Sequence, residues 1–305
     1  MRWIVPYFVI LFVWTGCLFA ETNTPALNLP AKGDVSLGDQ LRITYSRYRE
    51  AMKNGDMRSL QTCLSTFSVL EWKNSQISSG ERFDGEYLKS ISSMTRPLEG
   101  FEELAVRQNK DAAKLILFGK PTGAKDSGNV HIVPSFLAID FLRENGTWKV
   151  DKVGGKMPSQ IPGAEEAIAR KDYSSVLTNA FFYPDGKLPL LPQEVTAIAI
   201  KGLLNVNTGG YKTKVWVNGY DQSPRDPIVD TSAICPVIGG LNIGTNAIKI
   251  VVDKMNGTSF YGAHIPAYKV IVVRRISSTN SVNVFFYAPT NIPISHEETF
   301  VVEKN

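Results

Sequence analysis

The feature that most constrains this chain is a change of texture at Val195. Before it, apolar residues recur at helical spacing, as in Leu37, Leu41, Tyr45, Tyr48 and Met52, with Arg42, Arg47, Arg49 and Lys53 off that stripe. After it charges thin out, β-branched residues dominate, and Gly, Asn and Pro punctuate short runs. A three-to-four-residue period belongs to amphipathic helices and a two-residue period to half-buried strands. The two textures predict two domains with different cores, and 305 residues are enough for both.

The N-terminus, "MRWIVPYFVILFVWTGCLFAET", has a basic residue, an apolar run and a small residue before a polar segment. This is the pattern of a secretory signal peptide, residues 1–20, cleaved after Ala20. Two alternatives stay open. The run can remain as a membrane anchor, although it is short and carries Pro6. Or Cys17 is the lipidated residue of a bacterial lipoprotein, because Thr15-Gly16-Cys17 resembles the last three positions of a lipobox, with Trp14 where Leu is usual. The expected location is secreted or periplasmic. Membrane attachment would run only through this segment or through a lipid on Cys17. Residues 21–34, with two prolines, read as a polar linker.

Residues 35–160 read as an α+β domain. The first helix ends at Asn54-Gly55, and Asp56 is placed to cap a short second helix carrying Leu60, Cys63 and Leu64. A third helix is expected from about Asp84, with Tyr87, Leu88, Ile91 and Met94 on one face, stopped by Pro97. Strands follow in "ELAVRQ", "AAKLILFG", "HIVPSFLAIDFLRE" and "TWKVDKV", the last two joined by the turn dipeptide Asn145-Gly146. The stretches "YREAMKNGDMRSLQTCL" and "FLAIDFLRENGTWKVDKV" resemble the NTF2-like, or SnoaL-like, family over about residues 36–157. The resemblance implies helices packed on a curved antiparallel sheet that forms a cone, with Trp148 and Val150 on its concave side.

Residues 161–193 read as a helix followed by a Pro-rich interdomain linker. Residues 194–305 read as an all-β antiparallel sandwich, with strands expected in "VTAIAIKG", "KTKVWVNG", "NAIKIVVD", "YKVIVVRR", "VNVFFYA" and "TFVVE". The patches "KVWVNGY" and "GGLNIGTNAIKIVV" resemble accessory jelly-roll or immunoglobulin-like sandwiches of secreted bacterial proteins and glycosidases. Asn145-Gly-Thr and Asn256-Gly-Thr match the N-glycosylation pattern and serve equally well as turns.

Several classes of function find no support. The net charge of +4 is spread among interleaved acids, so no nucleic-acid partner is expected. The three histidines, His131, His264 and His296, have no metal-ligand spacing, and no phosphate loop or nucleophile elbow is present. Neither metal nor cofactor is expected. Of the cysteines left after signal removal, Cys63 and Cys235 read as small buried hydrophobes, with one interdomain disulfide as the alternative.

The chemically interesting residue is Asp140, flanked by large apolar residues in "FLAIDFLRE". On a strand it shares a face with Phe136, Ala138 and Leu142, where burial would raise its pKa into a range useful for proton transfer. Enzymes of the NTF2-like family place an Asp, Tyr or His in the cone, which makes Asp140, His131 and Tyr87 catalytic candidates. The competing reading has Asp140 paired with Lys149 or Lys152 on the next strand. Trp148, Tyr220 and Tyr261 are the candidates for ligand contact. Tyr211, Tyr268 and Trp216 are of the kind that stacks on sugar rings, but Trp216 lies between Val215 and Val217 inside a strand and is expected in the core.

The expected function is therefore an exported binding protein without catalysis, holding a small molecule, a glycan or an envelope protein. Two alternatives stand beside it. One is a proton-transfer enzyme (isomerase, dehydratase or hydrolase) with a buried carboxylate in the cone. The other is a structural protein of envelope assembly.

Overall fold

A computed structural model describes residues 36–120, 133–229, 231–255, 268–277 and 280–303. Residues 1–34, read above as leader and linker and including Cys17, lie outside the described residues, as do His131, Tyr261, His264 and Asn256. The described chain divides into two compact units. One holds the residues up to Val69 together with Asp84–Leu190; the other holds Leu70–Phe83 together with the chain from Leu191 onward. All strand pairing in both is antiparallel.

In the first unit, α1 (Leu37–Asn54) starts where Ser36 Oγ accepts from the Asp39 N–H and ends at Gly55, whose φ of 66° lets its N–H reach the Ala51 and Met52 carbonyls. Only a residue that tolerates the left-handed conformation closes a helix this way. Asp56 then caps α2 (Met57–Cys63) by accepting from the Arg58 and Ser59 N–H groups. α4 (Gly85–Ile91) is capped by Asp84. Between them lies α3 (Thr66–Ser79), a helix that the apolar spacing does not announce. The sheet follows as β1 (Phe101–Asn109), β2 (Ala112–Gly119), β3 (Ser135–Glu144) and β4 (Thr147–Lys156), in that spatial order. Asn145 and Gly146, with φ of 51° and 79°, make the β3–β4 turn.

This sheet is buried on both sides, so β2 and β3 are apolar almost throughout. α1 and α2 pack against β4. The other side of the sheet, at Ile116 and Phe136, packs on Ile161, Ala164, Ala167, Val176 and Phe182. These come from α5 (Ala164–Arg170) and the short 3-10 turns around it, where one longer helix was expected. The β3–β4 register slips between Asp140 and Phe141, leaving Asp151 as an extra residue on β4. The bulged Asp151 carboxylate accepts from Ser65 Oγ at 2.5 Å and Ser68 Oγ at 3.2 Å, and the Ser65 N–H donates to the Val150 carbonyl at 2.7 Å. The α2–α3 junction is thereby fixed to the edge of the sheet.

In the second unit, one sheet has the order β13 (Ser295–Val302), β10 (Gly244–Lys254), β6 (Tyr211–Val217), β7 (Tyr220–Asp221), with β8 (Ile228–Val229) also on β6. A second has the order β12 (Ser281–Tyr287), β11 (Lys269–Arg275), β5 (Gly202–Asn207), β9 (Ser232–Pro236). Alternate residues from both sheets, among them Leu204, Val215, Val217, Ile248, Ile250, Val270 and Phe300, form a single core. Of residues 195–202, expected as a strand, Gly202 opens β5; before it, Ile200 makes an isolated bridge to Leu241 and the Lys201 carbonyl accepts from the Arg275 N–H.

The last part of α3 belongs to this unit through polar contacts. Asn74, 2% exposed, donates to the Gln193 carbonyl and accepts from the Val195 N–H, each at 2.8 Å. Lys73 pairs with Glu194, Arg225 lies 3.7 Å from Glu71, and Ser78 Oγ accepts from the Gly239 N–H. A second amide network closes the β6–β7 turn. Asn246, fully buried, accepts from Asn218 Nδ2 and the Asn242 N–H and donates to the Asn242 and Gly244 carbonyls. The patches "VNGY" and "GGLNIGTNAI" are therefore one hydrogen-bonded structure. Cys63 and Cys235 are free and buried, one in each unit.

Candidate functional site

Asp140 sits in the register between Lys114 on β2 and Lys152 on β4. Its ion pair is with Lys114, not with either lysine of β4 that the sequence suggested: Nζ lies 2.9 Å from Oδ1. The same Nζ donates to the Phe181 carbonyl at 2.8 Å, and the Lys156 ammonium stands 4.9 Å from the centre of the Phe181 ring. Burial pushes the Asp140 pKa up, and the Lys114 charge, its hydrogen bond and the Lys152 charge pull it back only in part. The local chemistry is that of a paired carboxylate whose counter-ion anchors the chain at Phe181.

Trp148 lies on the opposite side of the sheet. It pairs in register with Arg143, two residues along β3 from Phe141, whereas Asp140 alternates with Phe141. The sheet itself separates the carboxylate from the indole. Trp148 is 7% exposed and Val150 1%, and Tyr45, Phe67 and Leu88 are fully buried in the same unit. Tyr45 donates its hydroxyl to the Arg96 carbonyl, and burial raises it to about 12. Tyr87 stands in the first turn of α4, near enough to Tyr48 to help raise that phenol. Both buried phenols stay protonated near neutral pH. Asp140, Tyr87 and Trp148 thus do not line one cavity. An open depression in this unit lies elsewhere, between Arg107, Asn109 and Tyr183, with the Arg107 guanidinium 3.8 Å above the Tyr183 ring.

The second unit corrects the expectation for Trp216. Val215 and Val217 are fully buried in the shared core, so the intervening side chain points the other way. Trp216 is half-buried on the outer face of the β13-β10-β6-β7 sheet. Its register partners there are Asp221 on β7 and Lys249 on β10, and Lys249 in turn faces Glu297 on β13. Lys249 pairs with Glu297 at 2.6 Å and Lys214 with Asp221 at 2.9 Å. Beyond this row, Thr245, Ala247, Thr299 and Val301 are exposed on the same face.

The other aromatic candidates are engaged. The Tyr220 ring packs where a side chain on Gly239 would be, and that glycine has a φ of +83°. Tyr268 is buried against Tyr211 and accepts from Thr213 Oγ1 at 3.4 Å, and burial raises it to about 12. His296 stacks on Tyr287 with ring centres 4.1 Å apart and lies 3.0 Å from Glu298. Among the described residues, no three of His, Cys, Asp or Glu converge on a point that could hold a metal ion. Among them too, no helix is long and apolar enough to cross a membrane.

The outer residues Lys249, Glu297 and Asp221 were not singled out in the sequence. The signal was present, since "NAIKIVVD" and "TKVWVNGY" alternate and one known inward residue fixes the facing of all others. No known family model, curated protein or solved structure matches this chain.

Proposed function

We propose that this chain is an exported binding protein whose recognition surface is an outer sheet face of its C-terminal half. In this reading residues 36–157 form an NTF2-like cone with a filled interior and act as a scaffold. The C-terminal half is a β-sandwich; one core shared by two antiparallel sheets supports that assignment. The observation that carries the reading is the outward Trp216, set among ion-paired Lys249, Glu297, Lys214 and Asp221. Trp216 is half-buried there, and an indole on an outer sheet face offers a partner an apolar body with a polar N–H.

The test is retention of the full-length mature protein on the cell-envelope fraction of its own source. Wild type, Trp216→Ala and Asp140→Asn are compared. Loss with Trp216→Ala alone is expected. Loss with Asp140→Asn alone would return recognition to the first unit and revive the proton-transfer alternative. Equal retention of all three contradicts the proposal.

A second reading, assembly, has one observation in its favour. On the outer face of the other sheet, Phe286, Ile271, Asn205 and Ile234 align in register, with Phe286 63% and Ile234 51% exposed. Sedimentation velocity of wild type against Phe286→Ser separates it: a monomer in both removes the assembly reading.

A further inference from the structure

We infer that Asn145 is a modification site, at which the protein's own backbone and water convert the side-chain amide to a carboxylate. The inference stands apart from the binding reading above.

The chemistry is intramolecular. The Gly146 nitrogen bonds to the side-chain carbonyl carbon of Asn145 and closes a cyclic imide. The side-chain nitrogen leaves as ammonia and takes the Gly146 amide proton as its third hydrogen. Water then adds to either imide carbonyl and reopens the ring as aspartate or isoaspartate. One water enters, one ammonia departs, and nothing is oxidised or reduced. Because both reacting groups are on adjacent residues, no bound reagent is needed. The step does need a carboxamide free to turn, a nitrogen free to attack it, and no Cβ in the way.

Four Asn-Gly pairs occur in the chain: Asn54-Gly55, Asn145-Gly146, Asn218-Gly219 and Asn256-Gly257. The last lies outside the described residues. Asn145-Gly146 and Asn218-Gly219 are a matched pair. Each is a two-residue hairpin turn, closed by Glu144 opposite Thr147 in one and Val217 opposite Tyr220 in the other. Their φ values are 51° and 79° in the first and 51° and 83° in the second. A Cβ on either glycine would meet nothing within 4 Å. The backbone therefore does not distinguish them, and the side chains do. Asn218 Nδ2 donates to Asn246 Oδ1 at 2.9 Å, and Asn218 Oδ1 accepts from the Ala247 N–H at 3.0 Å. Both ends of that carboxamide are held. Asn145 is exposed, and among the described residues its carboxamide makes no hydrogen bond. The Gly146 N–H has no backbone partner among them either. Asn54 is exposed too, but the Gly55 N–H is taken up by the Ala51 and Met52 carbonyls that close α1. Among the described pairs, Asn145-Gly146 alone combines a loose carboxamide with an open glycine nitrogen.

The product changes the hairpin tip. Isoaspartate adds a methylene to the main chain of a two-residue turn, which shifts Glu144 from its place opposite Thr147. Either product sets a new carboxylate beside Glu144, whose own carboxylate accepts from Thr66 and pairs with Lys149 at 3.1 Å. The tip of β3–β4 turns acidic as the protein ages.

The experiment incubates the full-length mature protein in mildly alkaline buffer, native and in urea. Peptide mapping by mass spectrometry then separates asparagine, aspartate and isoaspartate at positions 145 and 218. In the native protein Asn145 is expected to convert faster than Asn218 by at least about tenfold, since two hydrogen bonds must break before Asn218 can react. Isoaspartate is expected among the products. In urea the two rates should come within about threefold of each other, because the fold no longer separates them. Equal native rates, or a faster Asn218, overturn the inference. So does a large ratio that persists in urea, because neighbouring residues and not the fold would then set it. A native Asn145 that stays intact while the unfolded chain reacts would show that the turn shields it, and overturns it as well. Aspartate without isoaspartate removes the imide step.

Discussion

Replacing Lys114 by Met should loosen the first unit without touching the second. The Lys114 side chain is 10% exposed and Asp140's 28%, and one ammonium serves both the carboxylate at 2.9 Å and the Phe181 carbonyl at 2.8 Å. Removing one partner of a buried pair costs about 3–5 kcal/mol, because the other charge is left desolvated. Asp140 keeps contact with water, so the lower end applies, about 2 kcal/mol after discounting for screening. The Phe181 carbonyl loses a charge-assisted hydrogen bond, roughly a further 1.5 kcal/mol. The total is about 3.5 kcal/mol, and the double change Lys114→Met/Asp140→Leu should recover about half of it, because no unpaired charge remains. The assay is urea unfolding of the mature protein, which lacks Trp3 and Trp14, followed by Trp148 fluorescence in a Trp72→Phe/Trp216→Phe background, since Trp148 belongs to this unit and Trp72 and Trp216 to the second. A Lys114→Met loss below about 0.5 kcal/mol, or strict additivity in the double variant, refutes the argument that this pair is a structural anchor.

Three further outcomes follow from the same contacts. The Asp140 pKa is raised by burial, so its protonation favours the folded state: the stability it contributes is fully present below the unfolded carboxyl pKa and is lost as pH rises through the folded one. The stability of wild type relative to Asp140→Asn, measured by urea unfolding from pH 3 to pH 7, should therefore fall with rising pH; a rise would reverse the assigned cause. Asn246→Ala removes four hydrogen bonds from a fully buried amide and should cost the second unit about 3–4 kcal/mol at roughly 1 kcal/mol each, read as a lowered midpoint in the unfolding of that unit, with a change under 1 kcal/mol contradicting the network. Asn74→Ala frees the Gln193 carbonyl and the Val195 N–H, so limited proteolysis should cut residues 185–201 at least tenfold faster than in wild type, and an unchanged rate would show that the clamp does not hold this segment.

The sequence made α1, its Asn54-Gly55-Asp56 break and the β3–β4 hairpin legible, because each rests on local chemistry: a left-handed closing residue, a capping carboxylate and a turn dipeptide. Helix α3 was not legible. Its buried positions include Ser68, Asn74, Gln76 and Ser78, whose burial is sustained by distant partners such as Asp151, Gln193 and Gly239. A search for apolar periodicity passes over such a helix. The partners Gln193 and Gly239 explain why residues 70–83 join the C-terminal chain, and the Asn74 amide holds the Gln193–Val195 backbone ahead of β5. The facing of Asp140 was readable relative to Phe136 and Ala138, but not which layer covers that face, since both faces of β3 are equally apolar. Trp216 could have been read correctly: if Val215 and Val217 point inward, it cannot.

The outer-face account is tested most directly by the indole N–H signals in a ¹H–¹⁵N spectrum of the full-length mature protein, assigned with Trp72→Phe, Trp148→Phe and Trp216→Phe and titrated with the solubilised cell-envelope fraction of its own source. The account predicts that the Trp216 signal shifts with saturation while that of Trp148 stays in place. A saturable shift of Trp148 with Trp216 unmoved would put the ligand inside the first unit and contradict it.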